Sequence, residues 1–510
     1  MHYVSLIVEF LRGRPAWVFW IATLSQAFLW FAIPSLFYSA PPGELPAILA
    51  IGHEFRLGSD LGPPLAFWCA EWAFRLGGAV GVYLAAQISI VVAFWAVFSL
   101  GRAIVGTRHA VLAILFMTGI AAFNVPSPEF GPSILALPFW ALSLLFYWRA
   151  VGLGQRGAWF VFGVCMGLLL LSSYLGVILL LLLLIYTAAN PRGWSEFRHP
   201  EPWLALLLII FVVLPHVGFI EWSPALALNA IGLDATPMLH VSASAALRLI
   251  AAVLLTHLGV AVLMLLASGW PRRRRELAPV IERLPVPLYG RIYIYVFALA
   301  PALIAAIMAL AIGRSGPLDR VAPLVLLTGL AVITAAGDQV LLYRERIVSF
   351  AWLGLLVLPP LGAALAIAVL PWTLGTNLSM AQPANTMGQY FGDAFQRRTG
   401  QPLPYVAGDQ QLAELIAVGA PSRPHVFLTA TPARSPWAKP DDIRARGGVL
   451  VWPSTDPAGT PPAAIKAAFP DLVAEVPRIF ARTMQGRLPV IRVGWAVIRP
   501  ANAPPAPATR

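Results

Sequence analysis

Lysine is almost missing from this chain. Of 35 basic residues only Lys439 and Lys466 are lysines, so the net charge of +12 is carried by arginine. Charge of either sign is scarce: 11% of the 510 residues are charged, against about a quarter in soluble domains. With 59% hydrophobic residues, that scarcity excludes an ordinary soluble globule. Cysteine is limited to Cys69 and Cys165, both in or beside apolar runs. This argues against a disulfide framework and against a cysteine-based metal site. No P-loop, Rossmann glycine pattern or Ser-His-Asp signature occurs in a fitting context, and no internal repeat stands out. The run 15–37 is too long for a signal peptide and lacks a small-residue cleavage site, so it reads as a retained first span.

What is present is a series of apolar runs. Those near 15–37, 79–101, 108–124, 132–150, 202–220, 243–269, 292–313, 321–337 and 347–371 are long enough to span. The run 158–188 is too long for one ordinary span. Ser172, Ser173, Tyr174 and Gly176 interrupt it, so it reads as two short helices with a tip at 172–176. The expectation is a mainly α, polytopic membrane protein with about eleven transmembrane helices.

Basic residues lie in the short loops between these runs, the pattern of topology signals and headgroup contacts rather than of a nucleic-acid face. One side collects sixteen arginines (12, 14, 102, 108, 149, 156, 192, 198, 272–275, 283, 291, 344 and 346); the other has Arg56, Arg75, Arg314 and Arg320. The positive-inside bias puts the N-terminus in the cytoplasm and the loop after the first span outside. Residues 1–371 are thus read as a transmembrane module whose first outer loop is 38–78.

From about Pro371 the composition turns mixed and proline-rich. Strands are expected at Leu403–Ala407, His425–Ala430, Gly448–Trp452 and Val490–Ile498, with helices at Asp409–Val418 and Pro462–Ala468. Residues 372–510 are read as a small outer α/β domain with a disordered end, A-N-A-P-P-A-P-A-T-R.

The candidate chemistry lies in the outer loops. In the first, Glu44, His53, Glu54, Arg56 and Asp60 crowd together. Residues 44–57 have helical apolar spacing and suggest an amphipathic helix on the membrane surface. Glu44 fits two roles there: a cap at the positive helix end, or a general base taking a proton from an acceptor at the bilayer edge. Asp60 is either a turn residue before Pro63 and Pro64 or a second acid of the same pocket. Arg56, beside His53, suits a phosphate, since its planar fork matches the oxygens; a plain headgroup contact is the alternative. Asn124 and Glu129 belong to a stiff second loop with three prolines. Tyr174 and Ser173 sit at the broken tip. Glu221, Trp222, Asp234 and His240 mark a third loop whose spacing fits no metal-ligand pattern. Acids at the outer boundary speak against a transporter, which keeps ionisable groups at mid-membrane on paired broken helices.

Four stretches carry a family likeness: the first loop with its D-x-x-P-P-L-x-x-W segment from Asp60, Phe123-Asn124 with Leu135–Arg149, Gly163–Tyr174, and the tail with Val406-Ala407-Gly408 and Ala433–Trp437. Together they resemble the GT-C glycosyltransferases, in particular the family 39, protein-mannosyltransferase and aminoarabinose-transferase-like enzymes of bacterial inner membranes. The resemblance implies an enzyme taking a sugar from a polyprenyl-phosphate carrier to a lipid or glycan acceptor at the periplasmic face. It implies Glu44 and Asp60 as catalytic acids, and His53, Arg56, Asn124, Glu129, Ser173 and Tyr174 as substrate or phosphate contacts. No metal site or cofactor is assigned; a divalent cation is left open. The family's Asp-Glu pair reads Gly43-Glu44 here, and its Lys reads Ser173, so a non-catalytic sugar-lipid binder is the second expectation and a transporter the third.

Overall fold

The structure is a computed structural model. It describes residues 9–124, 129–231, 241–268, 280–313, 321–341 and 344–501. The expected sites at Asp234 and His240, the arginines 272–275, Arg314 and Arg320, and the expected disordered end from 502 on lie outside the described residues.

The fold is mainly helical. The helices used below are α1 (Pro15–Phe37), α2 (Leu45–His53), α3 (Leu65–Ile104), α4 (Thr107–Met117), α5 (Pro132–Tyr147), α6 (Ala158–Ser172), α7 (Gly176–Ala189), α8 (Glu201–Trp222), α9 (Ala243–Thr256), α10 (Leu258–Ser268), α11 (Leu288–Ile312), α12 (Thr328–Ala335) and α13 (Glu345–Thr373). Among the described residues, six are long and apolar enough to cross a membrane: α1, α3, α5 with its following turn to Gly152, α8, α11 and α13. The pair α9 and α10, bent by 45° at His257, makes a seventh if it crosses as one. Three further expected runs form four short helices: α4, α6 and α7 from the run 158–188, and Ala322–Ala335. A helix as short as α6 rises only about 22 Å, less than the roughly 30 Å of a bilayer core. By length and composition, six or seven helices among the described residues are able to cross.

Two breaks fix how the chain turns. In α3, Gly77 and Gly78 leave helical geometry, Gly78 at φ 60°. Glycine takes that backbone at no steric cost. Residues 79–104 beyond it rise roughly 39 Å, long enough to cross without help from 65–76. Between α6 and α7, Ser173 is extended (φ −157°, ψ 136°) and ends the helix, at the tip read from the sequence.

The chain gathers into two compact units. The first holds residues 1–33, 60–66 and 80–362. In it α6 packs on α5 and α8, α4 on α12, and α9 on α11. Its aromatic centre is Tyr147, Tyr293 and Phe297, with the Tyr293 hydroxyl donating to Leu144 O at 2.7 Å. A short ribbon joins β1 (Val280–Glu282) to β2 (Gln339–Leu341).

The second unit holds residues 34–59, 67–79 and 363–510, where the sequence reading drew its boundary at 371/372. Its sheet contains β3 (Tyr405–Gly408), β4 (His425–Leu428), β5 (Gly448–Pro453), β6 (Glu475–Phe480) and β7 (Ile491–Ile498), in the order β4-β3-β5-β7-β6. β4, β3 and β5 run parallel, and β7 and β6 are antiparallel to their neighbours. Helices α14 (Ala384–Thr399) and α15 (Gln410–Gly419) pack on one another, and α15 is capped by Asp409, whose side chain accepts from Leu412 N at 3.1 Å.

α2 belongs to this core. Leu45 to Gly52 are all buried, and the helix contacts α15 and β4. The expectation of an amphipathic helix on the membrane surface is corrected: a helix apolar on every side buries itself in protein.

Candidate functional site

The site is built on α2 and the stretch of α3 before its break, both in the second unit. Pro41 and Pro42 stop the chain, and Gly43 turns it at φ 57°. Glu44 follows at the N-cap of α2, exposed, with no side-chain capping bond. The cap role read for it is therefore one of position only. At the other end of α2, Gly52 lets the helix meet α3 closely: a Cβ there would collide with Phe67 O.

Glu71 lies at this crossing and is the organising charge. Its side chain is 2% exposed. His53 Nδ1 donates to Oε1 at 3.2 Å, Arg75 Nε donates to the same oxygen at 2.9 Å, and Arg423 donates to Oε2 at 2.7 Å. A carboxylate only accepts, which assigns the proton on His53 Nδ1. Burial pushes the Glu71 carboxyl up, but the bonds from His53 and Arg75 and the charge of Arg423 outweigh it and hold it at about 2. Such a carboxylate is a poor proton acceptor near neutral pH. Its role is to fix charge and position.

Arg423 reaches this cluster from the turn before β4. It stands at φ 50°, a backbone that non-glycine residues adopt at a cost of about 1–3 kcal/mol. Its guanidinium also donates to Leu49 O of α2 at 3.3 Å and lies 4.3 Å from the Phe74 ring centroid. One terminal nitrogen, Nη1, is buried without a hydrogen-bond partner. Two residues on, His425 Nδ1 donates to Glu54 Oε1 at 2.7 Å. That bond, ahead of the opposing effect of burial, raises the His425 pKa above its ordinary 6.5. The His53 and His425 rings lie 5.5 Å apart. Four side chains of the first loop and α3 (His53, Glu54, Glu71, Arg75) are thus tied to two from the tail. Arg56 is half-buried, and its carbonyl accepts from Trp68 Nε1 at 3.0 Å.

The remaining expected site residues belong to the first unit. Asp60 is half-buried beside Gly62. Asn124 is buried and hydrogen-bonded: its amide donates to Thr118 O and its Oδ1 accepts from Trp30 Nε1 at 3.4 Å. Glu129 is exposed, just beyond residues outside the description. Ser173 Oγ accepts from Leu175 N at 3.3 Å, a turn bond. The Tyr174 hydroxyl meets Nε2 of His216 at 3.0 Å, and His216 is buried against Phe219. Ser173 and Tyr174 are brought together at the tip, and Glu44, His53 and Arg56 share the α2 region of the second unit. Asp60 falls in the first unit and Glu44 in the second. Glu221 and Trp222 end α8, both exposed. Among the described residues no group of three or more His, Cys, Asp or Glu is placed to hold a metal ion.

The reading from sequence missed Glu54, Glu71, Arg75, Arg423 and His425 as members of one cluster. Glu71 had a signal: a lone acid in an apolar stretch with Arg75 four residues on, a helical ion-pair spacing. Arg423 and His425 had none, being more than 350 residues from their partners.

Comparisons with known proteins follow this geometry. Residues 62–219 match the dolichyl-phosphate-mannose-protein mannosyltransferase family. No curated protein matches the chain by sequence. Among solved structures, ArnT from Cupriavidus metallidurans bound to undecaprenyl phosphate is similar, with a TM-score of 0.59 at 13% identity, covering 97% of this chain and 100% of that one. The same protein in its apo state gives 0.55 at 14% identity, over 96% and 99%. The oligosaccharyltransferase of Archaeoglobus fulgidus in the apo form gives 0.44 at 15% identity, over 86% and 69%. The GT-C resemblance seen in the sequence stands: the family pattern covers 62–219, and the chain has the ArnT fold.

Proposed function

We propose that the chain is a membrane glycosyltransferase that moves a sugar from a polyprenyl-phosphate carrier to a lipid or glycan acceptor at the periplasmic face of a bacterial inner membrane. The observation that carries this reading is the match of residues 62–219 to a family of lipid-phosphate-sugar transferases, beginning two residues after Asp60 within the acid-bearing loop. The ArnT fold supports it, since that relative was solved with undecaprenyl phosphate.

In the proposed reaction the acceptor oxygen attacks the anomeric carbon, and the bond from that carbon to the phosphate oxygen breaks. The carrier phosphate leaves with the electron pair, and Glu44 takes the acceptor's proton. The leaving charge needs a cation, and Arg56 is the candidate in the first loop. Asp60 is the second acid, with His53, Asn124, Glu129, Ser173 and Tyr174 as outer contacts. A divalent cation is compatible with the leaving phosphate. The four short helices then complete eleven crossings, with the N-terminus in the cytoplasm and the sheet-bearing unit outside.

Gly43 favours a second reading, a sugar-lipid binder without catalysis. It stands at φ 57° where the family has an Asp, so the turn persists without the acid. Transfer of radiolabelled sugar from polyprenyl-phosphate donors into lipid and glycan extracts separates the two. Wild type transfers, and Glu44→Gln or Asp60→Asn, still folded, stops it, if the first reading holds. Retention of the carrier with no transfer from any donor supports the binder.

A further inference from the structure

The loop joining β6 to β7, residues 481–490, is fastened to the end of α13. Arg487 N donates to Pro371 O at 2.9 Å. Gly486 stands at φ 52°, and its missing side chain lets the two backbones meet, since a Cβ there would collide with Pro371 O. Arg482 Nη1 donates to Asn377 Oδ1 at 2.6 Å, and its Nε donates to Pro489 O at 3.2 Å. All of these residues belong to the second unit.

α13 sets the level of this loop. It is one of the helices able to cross a membrane. Leu365, Val369 and Trp372 follow one another at helical spacing and are exposed along one face into the last turn. Leu374, just past the helix, is 75% exposed. A tryptophan at the end of an apolar, lipid-facing stripe marks the bilayer boundary. Pro371, where the loop is fastened, is one residue away and buried. The loop therefore lies at that boundary, with Met484 exposed on it.

The loop and its surroundings are basic. Residues 476–499 carry Arg478, Arg482, Arg487, Arg492 and Arg499 without an Asp or Glu, and 346–392 hold no acid either. Arg487 is exposed, and the bonds of Arg482 end on neutral oxygens. Arg478 lies over the Tyr390 ring at 4.8 Å, and Arg492 donates to Thr455 O at 3.3 Å. The acids of the neighbouring elements are engaged or offset. Glu475 is bonded by Arg398, and Asp456 accepts from Ser454 and Thr460. Asp393 shares α14 with Arg397 and Arg398. Across α14, the loop 453–460 and 475–492, six guanidiniums (397, 398, 478, 482, 487 and 492) stand against three carboxylates (393, 456 and 475). None of these carboxylates is bonded to Arg482 or Arg487 among the described residues.

We infer that the loop 481–490 docks on the bilayer surface at the end of α13, with Arg482 and Arg487 on the phosphates of anionic lipid headgroups and Met484 dipping beside Trp372 and Leu374. Charge complementarity selects this occupant: basic residues held within a Debye length of an anionic surface are drawn to it. Continuity with the exposed stripe of α13 places that surface within reach of the loop. The contact holds the sheet of the second unit to the membrane at a point far along the chain from α2. It requires only that α13 crosses, and stands whether or not the chain transfers sugar.

The test uses the full chain with Cys69 and Cys165 replaced by Ala and a fluorescent label on Met484→Cys, in nanodiscs of phosphatidylcholine with increasing phosphatidylglycerol. Quenching by lipids spin-labelled near the headgroup reads the contact. The same label on Asp441→Cys, where the native side chain is 87% exposed, gives the value in water. Quenching at Met484→Cys exceeds that value and rises with phosphatidylglycerol, and added salt lowers it. Arg487→Gln removes a charge and leaves the backbone bond to Pro371, so the fold is kept. It raises the phosphatidylglycerol needed for half-maximal quenching about fivefold. Arg482→Gln in addition removes the dependence. Quenching no greater than at Asp441→Cys overturns the inference, as does quenching that is equal in all lipid mixtures and untouched by Arg487→Gln. Protection of the label only in nanodiscs holding two copies overturns it too, since the loop would then meet a second chain.

Discussion

Arg423 and Glu71 offer the sharpest perturbation of the second unit. Replacing Arg423 by Met keeps an unbranched apolar stem but removes the guanidinium that bonds Glu71 Oε2 and Leu49 O and lies over Phe74. Breaking a buried ion pair by deleting one partner costs about 3–5 kcal/mol. Glu71 keeps His53 and Arg75, although Arg75 is 45% exposed and screened by solvent. The expected loss is therefore at the bottom of that range, about 3 kcal/mol. The backbone strain at φ 50° stays in Met and does not offset it. Glu71→Gln, with the double variant, closes a thermodynamic cycle. Chemical denaturation of the purified chain, followed by tryptophan fluorescence, should give a coupling of about 2–3 kcal/mol. Because α2 is held at Leu49 by the same guanidinium, limited proteolysis should cut the first loop faster in Arg423→Met. Additive losses within about 0.5 kcal/mol, with an unchanged cleavage rate, would refute the idea that this pair fastens α2 to the tail.

The pH dependence follows from the same cluster. Glu71 is held at about 2 against an ordinary 4.5, so its stabilisation is fully present above 4.5 and is lost as pH falls from there towards 2. That window should carry about 3 kcal/mol of unfolding free energy, and the slope should flatten in Glu71→Gln. His425 is raised by Glu54, so its contribution is present below the ordinary histidine value and fades as pH rises through the raised one. Histidine NMR titration of Glu54→Gln should show the His425 midpoint moving down; an unmoved midpoint would disprove the bond. Gly52→Ala puts a Cβ against the Phe67 carbonyl and should destabilise the chain by about 1–3 kcal/mol in the same denaturation assay.

Much of the helical layout was legible because lipid demands long apolar runs. The break at Ser172–Gly176 was readable for the same reason, since serines and a glycine interrupt a run of leucines. The expected second run, 79–101, starts just past the break at Gly77 and Gly78. The number of crossings was less legible: α4, α6, α7 and Ala322–Ala335 are too short for length alone to decide. α2 was misread because helical spacing at Leu45, Ile48, Leu49, Gly52 and Phe55 looks amphipathic, while the intervening Pro46, Ala47, Ala50 and Ile51 are apolar too and are buried. A pattern shows that a face is apolar without showing what covers it. The Glu71 cluster was invisible from the tail side because Arg423 and His425 sit in a turn and at a strand start with no local motif. That Asn124, read as a substrate contact, also donates to Thr118 O of its own turn was not legible, because local side-chain to backbone bonds leave no sequence pattern of their own.

The most direct test of the central claim is the rate of sugar transfer from polyprenyl-phosphate sugar to acceptor by purified wild type and Glu44→Gln, both shown to be folded. A general base contributes about 10²–10⁴-fold, so the account predicts that Glu44→Gln falls by about that factor while carrier binding is kept. Equal rates in the two proteins would contradict it.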